Sequence, residues 1–113
     1  FRLLIDPQSL SLGGDRVVRY TMVLRSQDGV DNVSYEGLRC AHRKYRRYAY
    51  GSNGEFRPVH KSQWRYIRKT GIDRYRDALE RGFICPLPAG DTERQLLRKL
   101  KRSGHARLFG DDE

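Results

Sequence analysis

The stretch from Tyr35 to Tyr50, YEGLRCAHRKYRRYAY, decides how this chain folds. It carries four tyrosines, one of the two cysteines, six arginine, lysine or histidine positions and a single acid, Glu36. Its first part alternates as a strand, and Tyr45 to Gly51 returns as a second strand after a turn near His42 to Lys44. Toward the N-terminus, Val17 to Arg25 also alternates, with Val18, Tyr20, Met22 and Leu24 on one face. Between the two lies Asp28-Gly29, a favoured two-residue hairpin turn, which predicts Leu24 opposite Val33, Met22 opposite Tyr35 and Tyr20 opposite Gly37. A conflict follows. Val33 and Tyr35 share one parity while Leu38 and Cys40 share the other, so a regular strand cannot send all four into one core. A bulge at Glu36-Gly37 is predicted to absorb the mismatch.

The rest of the chain builds outward from these strands. Phe1 to Ile5 is a short apolar strand stopped by Asp6-Pro7. Asn53-Gly54 signals another hairpin, pairing Tyr50 with Arg57 and Tyr48 with Val59, and Pro58 places Glu55 to Val59 at a sheet edge. From Ser62 the period changes: Trp64 and Ile67 fit a short helix ended by Gly71. Ile72, Tyr75, Leu79 and Phe83 fit one face of a second, with Thr70 and Asp73 spaced as a capping box and Gly82 as its end. Thr92 to Ser103 reads as a last helix in which Leu96, Leu97 and Leu100 oppose Arg98, Lys99, Lys101 and Arg102. The expected class is therefore α+β: an antiparallel sheet of four to five strands, two short helices packed on one face, and a basic C-terminal helix. Residues 1–88 are expected as a single α+β domain and 89–113 as a linker, the basic helix and a frayed acidic tail.

Charge narrows the class of partner. The chain has 23 Lys+Arg against 14 Asp+Glu, a formal charge of +9, and 18 of the cations are arginine. The planar guanidinium suits carboxylate and phosphate, so acidic partners are favoured, although an arginine-rich genome would give the same count. No apolar run approaches the ~20 residues needed for a membrane-spanning helix. The first residue is Phe1, not methionine, which leads us to expect a removed N-terminal segment with room for a signal peptide. Cys40 and Cys85 fit either one disulfide, closing a loop worth about 4 kcal/mol on chain-entropy grounds, or two buried free thiols in a reducing compartment. A zinc site is disfavoured because neither cysteine has a close second ligand and His42, His60 and His105 are scattered. No metal or cofactor is expected.

Three functional classes compete. In a non-enzymatic binding module, Arg39, Arg43, Lys44, Tyr45, Arg46, Arg47, Tyr48, Tyr50 and Arg57 form a basic aromatic surface for an acidic or peptidic partner, arginine and tyrosine being the residues most used at binding hot spots. The structural alternative is a solvated sheet face whose tyrosines cover the core. In a nucleic-acid binder the same cations contact phosphates while tyrosines stack on bases, but no zinc finger, helix-turn-helix or RNA-recognition signature is present. In a ribonuclease-like enzyme, Glu36 or His42 acts as base, the other as acid, and Arg39 holds the phosphate. Against this, Glu36 beside Arg39 is more often a structural ion pair, and there is no nucleophile elbow, phosphate loop or HExxH motif. No catalytic residue is assigned, and the chain is read as non-enzymatic. The basic terminal helix has three possible docking surfaces: the domain, a second copy or a membrane surface.

Several of these residues carry a family resemblance. Ser9-Leu10, Val17-Val18-Arg19-Tyr20, the run Asn32-Val33-Ser34-Tyr35-Glu36-Gly37-Leu38-Arg39-Cys40, Tyr48-Ala49, Trp64, Tyr75-Arg76 and Phe83-Ile84-Cys85-Pro86 together resemble the cryptic neisserial protein family. Its members are small proteobacterial proteins of unassigned activity, and the resemblance covers about residues 1 to 86. It implies an exported protein of the periplasm or cell envelope, whose precursor carries a signal or lipoprotein segment, and it implies the Cys40–Cys85 disulfide. An envelope location favours an acidic or peptidic partner over nucleic acid. The family supplies no catalytic or binding residues to carry over, and the basic terminal helix lies beyond the resemblance.

Overall fold

A computed structural model describes residues 2–52, 54–103 and 107–108; Phe1, Asn53 of the second hairpin turn, His105 and the tail from Phe109 to Glu113 lie outside the described residues. The strands are β1 (Arg2–Ile5), β2 (Ser11–Leu12), β3 (Val18–Arg25), β4 (Asp31–Arg39), β5 (Lys44–Ser52), β6 (Glu55–Pro58), β7 (Arg65–Tyr66) and β8 (Arg107–Leu108). They form one sheet in the order β6-β5-β4-β3-β1-β8, with β2 added to β3 and β7 to β5. Five strands of four to nine residues carry the sheet, and the other three are two-residue additions. Helices α1 (Arg74–Leu79) and α2 (Glu93–Ser103) cover one face. The architecture is α+β, as expected.

The β3–β4 turn is one residue longer than expected. The Ser26 amide donates to the Val30 carbonyl at 2.9 Å and the Gly29 amide to the Ser26 carbonyl at 3.0 Å, with Gly29 at φ +83°. This is a three-residue loop, a turn followed by a left-handed residue that glycine adopts without strain. The register moves by one: Tyr20 faces Glu36, Met22 faces Ser34 and Leu24 faces Asn32. Because side chains alternate, the slip turns Ser34, Glu36 and Leu38 toward the helices and Val33 and Tyr35 away from them. The parity conflict disappears without any irregularity between β3 and β4. The predicted bulge at Glu36-Gly37 is found instead on the neighbouring strand: Tyr35 pairs with Ala49 and Glu36 with Arg47, which leaves Tyr48 as the extra residue of β5.

The second hairpin has the expected register, with Tyr50 opposite Arg57 and the Val59 amide donating to the Tyr48 carbonyl at 2.9 Å; β6 is the sheet edge. The helix expected around Trp64 and Ile67 does not form. Since β6 covers only Ala49 to Ser52 of β5, the open edge at Lys44 and Tyr45 is taken by β7, through Tyr66 and Arg65. Gly82 does not end α1, which runs on as a π-helical turn, Glu80–Ile84, to the extended Cys85. Nor does Thr70 cap that helix through its side chain: the Asp73 carboxylate instead accepts from the Arg68 amide at 3.1 Å and from Arg76 at 3.2 Å. The capping box belongs to α2, where Gln95 Oε1 accepts from the Thr92 amide at 2.7 Å and Thr92 Oγ1 from the Gln95 amide at 3.3 Å.

The core lies between the sheet and the helices. Leu3, Ile5, Val18, Tyr20, Met22, Leu24 and Leu38 meet Ile67, Leu79, Phe83, Ile84, Leu96 and Leu100. Leu96 and Leu100 are fully buried, so α2 packs its apolar stripe on the same core as α1. The linker before α2 is held by Arg16, which donates to the carbonyls of Leu87 at 3.1 Å and Pro88 at 2.8 Å.

Candidate functional site

The sheet face turned away from α1 carries an array of cations on aromatic rings. Arg19, Gly37 and Arg46 lie side by side across β3, β4 and β5. Gly37 leaves room for the extra residue of β5: a Cβ there would meet the Tyr48 hydroxyl at 2.8 Å and its ring at 2.9 Å. Tyr48 thus lies close over the strand. The guanidinium carbons of Arg46 and Arg19 stand 5.3 and 5.6 Å from its ring centre, and Arg39 stands 5.3 Å from the centre of Trp64. Tyr35 and Trp64 flank Tyr48 at 5.8 and 6.5 Å between centroids, and Lys44 sits 4.7 Å from the ring of Tyr66. Each such contact is worth about 0.5–1 kcal/mol at an exposed site, and together they hold flat cations against a rigid sheet. Arg19 is also paired with Asp15 at 2.9 Å, and that guanidinium holds the Asp15 carboxyl below its ordinary range. Among the described residues, Arg39 and Arg46 have no carboxylate partner.

The helix face holds the opposite arrangement, a closed ion pair. Glu36 is fully buried and accepts from Arg76 Nε at 2.8 Å, Arg76 Nη2 at 2.7 Å and Ser34 Oγ at 2.7 Å. Arg76 also reaches Asp73 at 3.2 Å and lies 4.2 Å from the ring centre of Tyr45. Burial opposes the charge of Arg76 and the Glu36 carboxylate overcomes it, so the guanidinium pKa stands above its ordinary value. Tyr20, across the ladder from Glu36, is fully buried, and its hydroxyl meets no hydrogen-bond partner among the described residues. Burial, and then the Glu36 charge, push its phenol well above the usual tyrosine range.

The nine residues expected on one basic surface are divided. Arg39, Lys44, Arg46 and Tyr48 belong to the outer array. Tyr45, Arg47, Tyr50 and Arg57 lie on the helix side, in line with Leu38, Glu36 and Ser34, and Tyr45 is packed under Arg76. Arg43, on the turn at φ 49°, binds Asp77 and stands 3.2 Å from Glu80, pinning α1. Cys40 and Cys85 form the disulfide, with 5.6 Å between their Cα atoms. Arg19, Tyr35, Trp64 and Tyr66 of the array were not in the expected set; Arg19 lies outward by the alternation of β3, Tyr35 by the one-residue change of register, and Trp64 and Tyr66 arrive with β7, which local turn signals did not reveal. Arg76, the partner of Glu36, lies 40 positions away and had no signal in the sequence. The Glu36 and His42 considered for acid-base chemistry are differently placed, one closed off beneath Arg76 and the other on an exposed turn.

Among the described residues no group of histidine, cysteine and acidic side chains is placed to hold a metal ion, and no helix is long and apolar enough to cross a membrane. Compared with known proteins, the chain matches the family model described as CNP1-like over residues 1–101, a span that takes in the sheet apart from β8, the disulfide, α1 and most of α2, and so extends past the expected residues 1–86 into the basic helix. No curated protein and no solved structure matches.

Proposed function

The chain belongs to the CNP1-like family, and on that premise we propose that it is a non-enzymatic binding module that presents its Arg/aromatic sheet face to an acidic protein or peptide. The observation that carries this is the pairing of Arg39 with Trp64 and of Arg46 with Tyr48, without a carboxylate partner among the described residues. A guanidinium stacked on a ring keeps edge N–H groups for a carboxylate, in Arg46 the Nη groups because its Nε donates to Ser62 Oγ at 3.1 Å, and its geometry is set before binding, which lowers the cost of ordering it. The same stacking disfavours single-stranded nucleic acid as the partner, because the rings that would receive bases already carry cations. The Cys40–Cys85 bond supports an oxidising compartment, and the periplasm or cell envelope is the location this reading proposes.

The test is calorimetric titration with an oligoglutamate peptide at two ionic strengths, with oligothymidylate as comparison. Saturable peptide binding that weakens with salt and falls about ten-fold in Arg39→Ala/Arg46→Ala is expected, the loss of two exposed ion pairs worth at most about 1 kcal/mol each. Binding unchanged in that variant, or oligothymidylate bound more tightly than the peptide, would remove this function.

A further inference from the structure

On the opposite side of the sheet, between β3–β5 and the start of α1, lies a cleft of about 760 Å³. Small-molecule sites span about 300–1,000 Å³ and combine an apolar lining with a few convergent polar groups. Here Met22 and Leu24 from β3 supply an apolar lining, Tyr50 and Tyr75 add rings, and Arg47 and Arg74 bring charge. The acids nearby are already engaged. Asp31 accepts from Arg25 at 2.8 and 3.2 Å, and Glu36 is closed by Arg76 and Ser34. Arg47 and Arg74 are exposed, and neither has a carboxylate partner among the described residues. Arg74 is steadied by Tyr75, 5.1 Å from its ring centre and donating to its hydroxyl at 3.3 Å. The cleft therefore joins apolar surface to two unmatched cations.

We infer that this cleft binds a small amphipathic organic anion, an alkyl or aryl body carrying a carboxylate. The apolar body lies against Met22 and Leu24, and the carboxylate sits between Arg47 and Arg74. A purely apolar ligand leaves both cations unused, and a fully polar anion leaves the apolar lining wet. The site is on the face away from Tyr48 and Trp64, so it stands or falls independently of the acidic-partner surface.

The probe is octanoate, with octan-1-ol as the uncharged control, added to isotope-labelled protein while amide and methyl chemical shifts are followed. Saturable octanoate shifts centred on Met22, Leu24 and Tyr75 are expected. Octan-1-ol should bind about ten-fold more weakly, and so should octanoate to Arg47→Gln/Arg74→Gln, the size of change expected when a charge-assisted contact is lost. Absence of saturation, shifts centred on Tyr48 and Trp64, or equal affinity for octanoate and octan-1-ol would overturn the inference. Equal octanoate affinity in the double variant would do so too. Both substituted arginines are exposed, and the spectrum of the variant itself reports whether the fold is retained.

Discussion

At the scale of single residues, Glu36 and Arg76 form the most consequential pair. Both are buried, and removing one charge leaves the other without a partner in a dry environment. Glu36→Gln is expected to cost about 3–5 kcal/mol in chemical denaturation, whereas a combined Glu36→Met/Arg76→Leu variant should recover most of that loss. Tyr20 behaves differently. Its hydroxyl has no partner among the described residues, so Tyr20→Phe should change stability at neutral pH by less than about 1 kcal/mol. The pH dependence has a definite sign. The phenol pKa is raised in the fold, so the unfolded chain releases that proton first, and stability falls as pH rises above about 10. Melting temperature followed into the alkaline range should show this decline in the wild type and a smaller one in Tyr20→Phe.

At the scale of elements, the bulge at Tyr48 shifts the parity of β5, so that Tyr45 and Arg47 before it and Tyr50 after it all face the helices while Tyr48 lies outward over Gly37. Gly37→Ala tests the outer half of this device. The new methyl would collide with the Tyr48 ring and stand 3.1 Å from Val17. We expect a stability loss of about 1–3 kcal/mol, together with weaker oligoglutamate binding as the ring that orders Arg19 and Arg46 is displaced. The strands themselves were legible in the sequence because Val18 to Leu24 alternates and Tyr45 to Gly51 lies between two turn signals, and the Asn53-Gly54 signal gave the right register for β5 and β6. The β3–β4 register was not, because Asp28-Gly29 serves a two-residue loop and a three-residue loop equally well, and Gly29 occupies the last position of the longer one. That single residue decided whether Glu36 appeared as an outward group near Arg39 or as the buried partner of Arg76. Trp64 to Ile67 misled for another reason: a short apolar run fits either period, and the free edge of β5 chose strand.

For the whole molecule, three ties among the described residues fasten the β4–β5 hairpin to α1 and the turn that continues it to Cys85: Glu36–Arg76, Arg43 to Asp77 and Glu80, and the Cys40–Cys85 bond. The disulfide spans 45 positions, and the chain-entropy estimate values a loop of that size at about 4 kcal/mol. Reduction, or Cys40→Ser/Cys85→Ser, should therefore lower the denaturation midpoint substantially, which circular dichroism with and without reductant can measure. Helix α2 is part of the same body. Leu96→Ala should cost about 2–5 kcal/mol, the range for emptying a buried leucine site, and a surface-docked helix would not show such a loss. The pairing of cysteines was legible from family resemblance, whereas the docking of α2 needed the three-dimensional core. One consequence of the Gln27-Asp28-Gly29 loop reaches beyond the folded state, into how this chain tolerates insertion and deletion. With the turn kept at three residues, deleting one of them draws a strand residue into it and exchanges the faces of β4, sending Glu36 outward and Tyr35 inward, whereas a two-residue deletion keeps the faces as they are. Loop length here acts as a parity check on descent, so relatives that vary at this turn should differ by even steps.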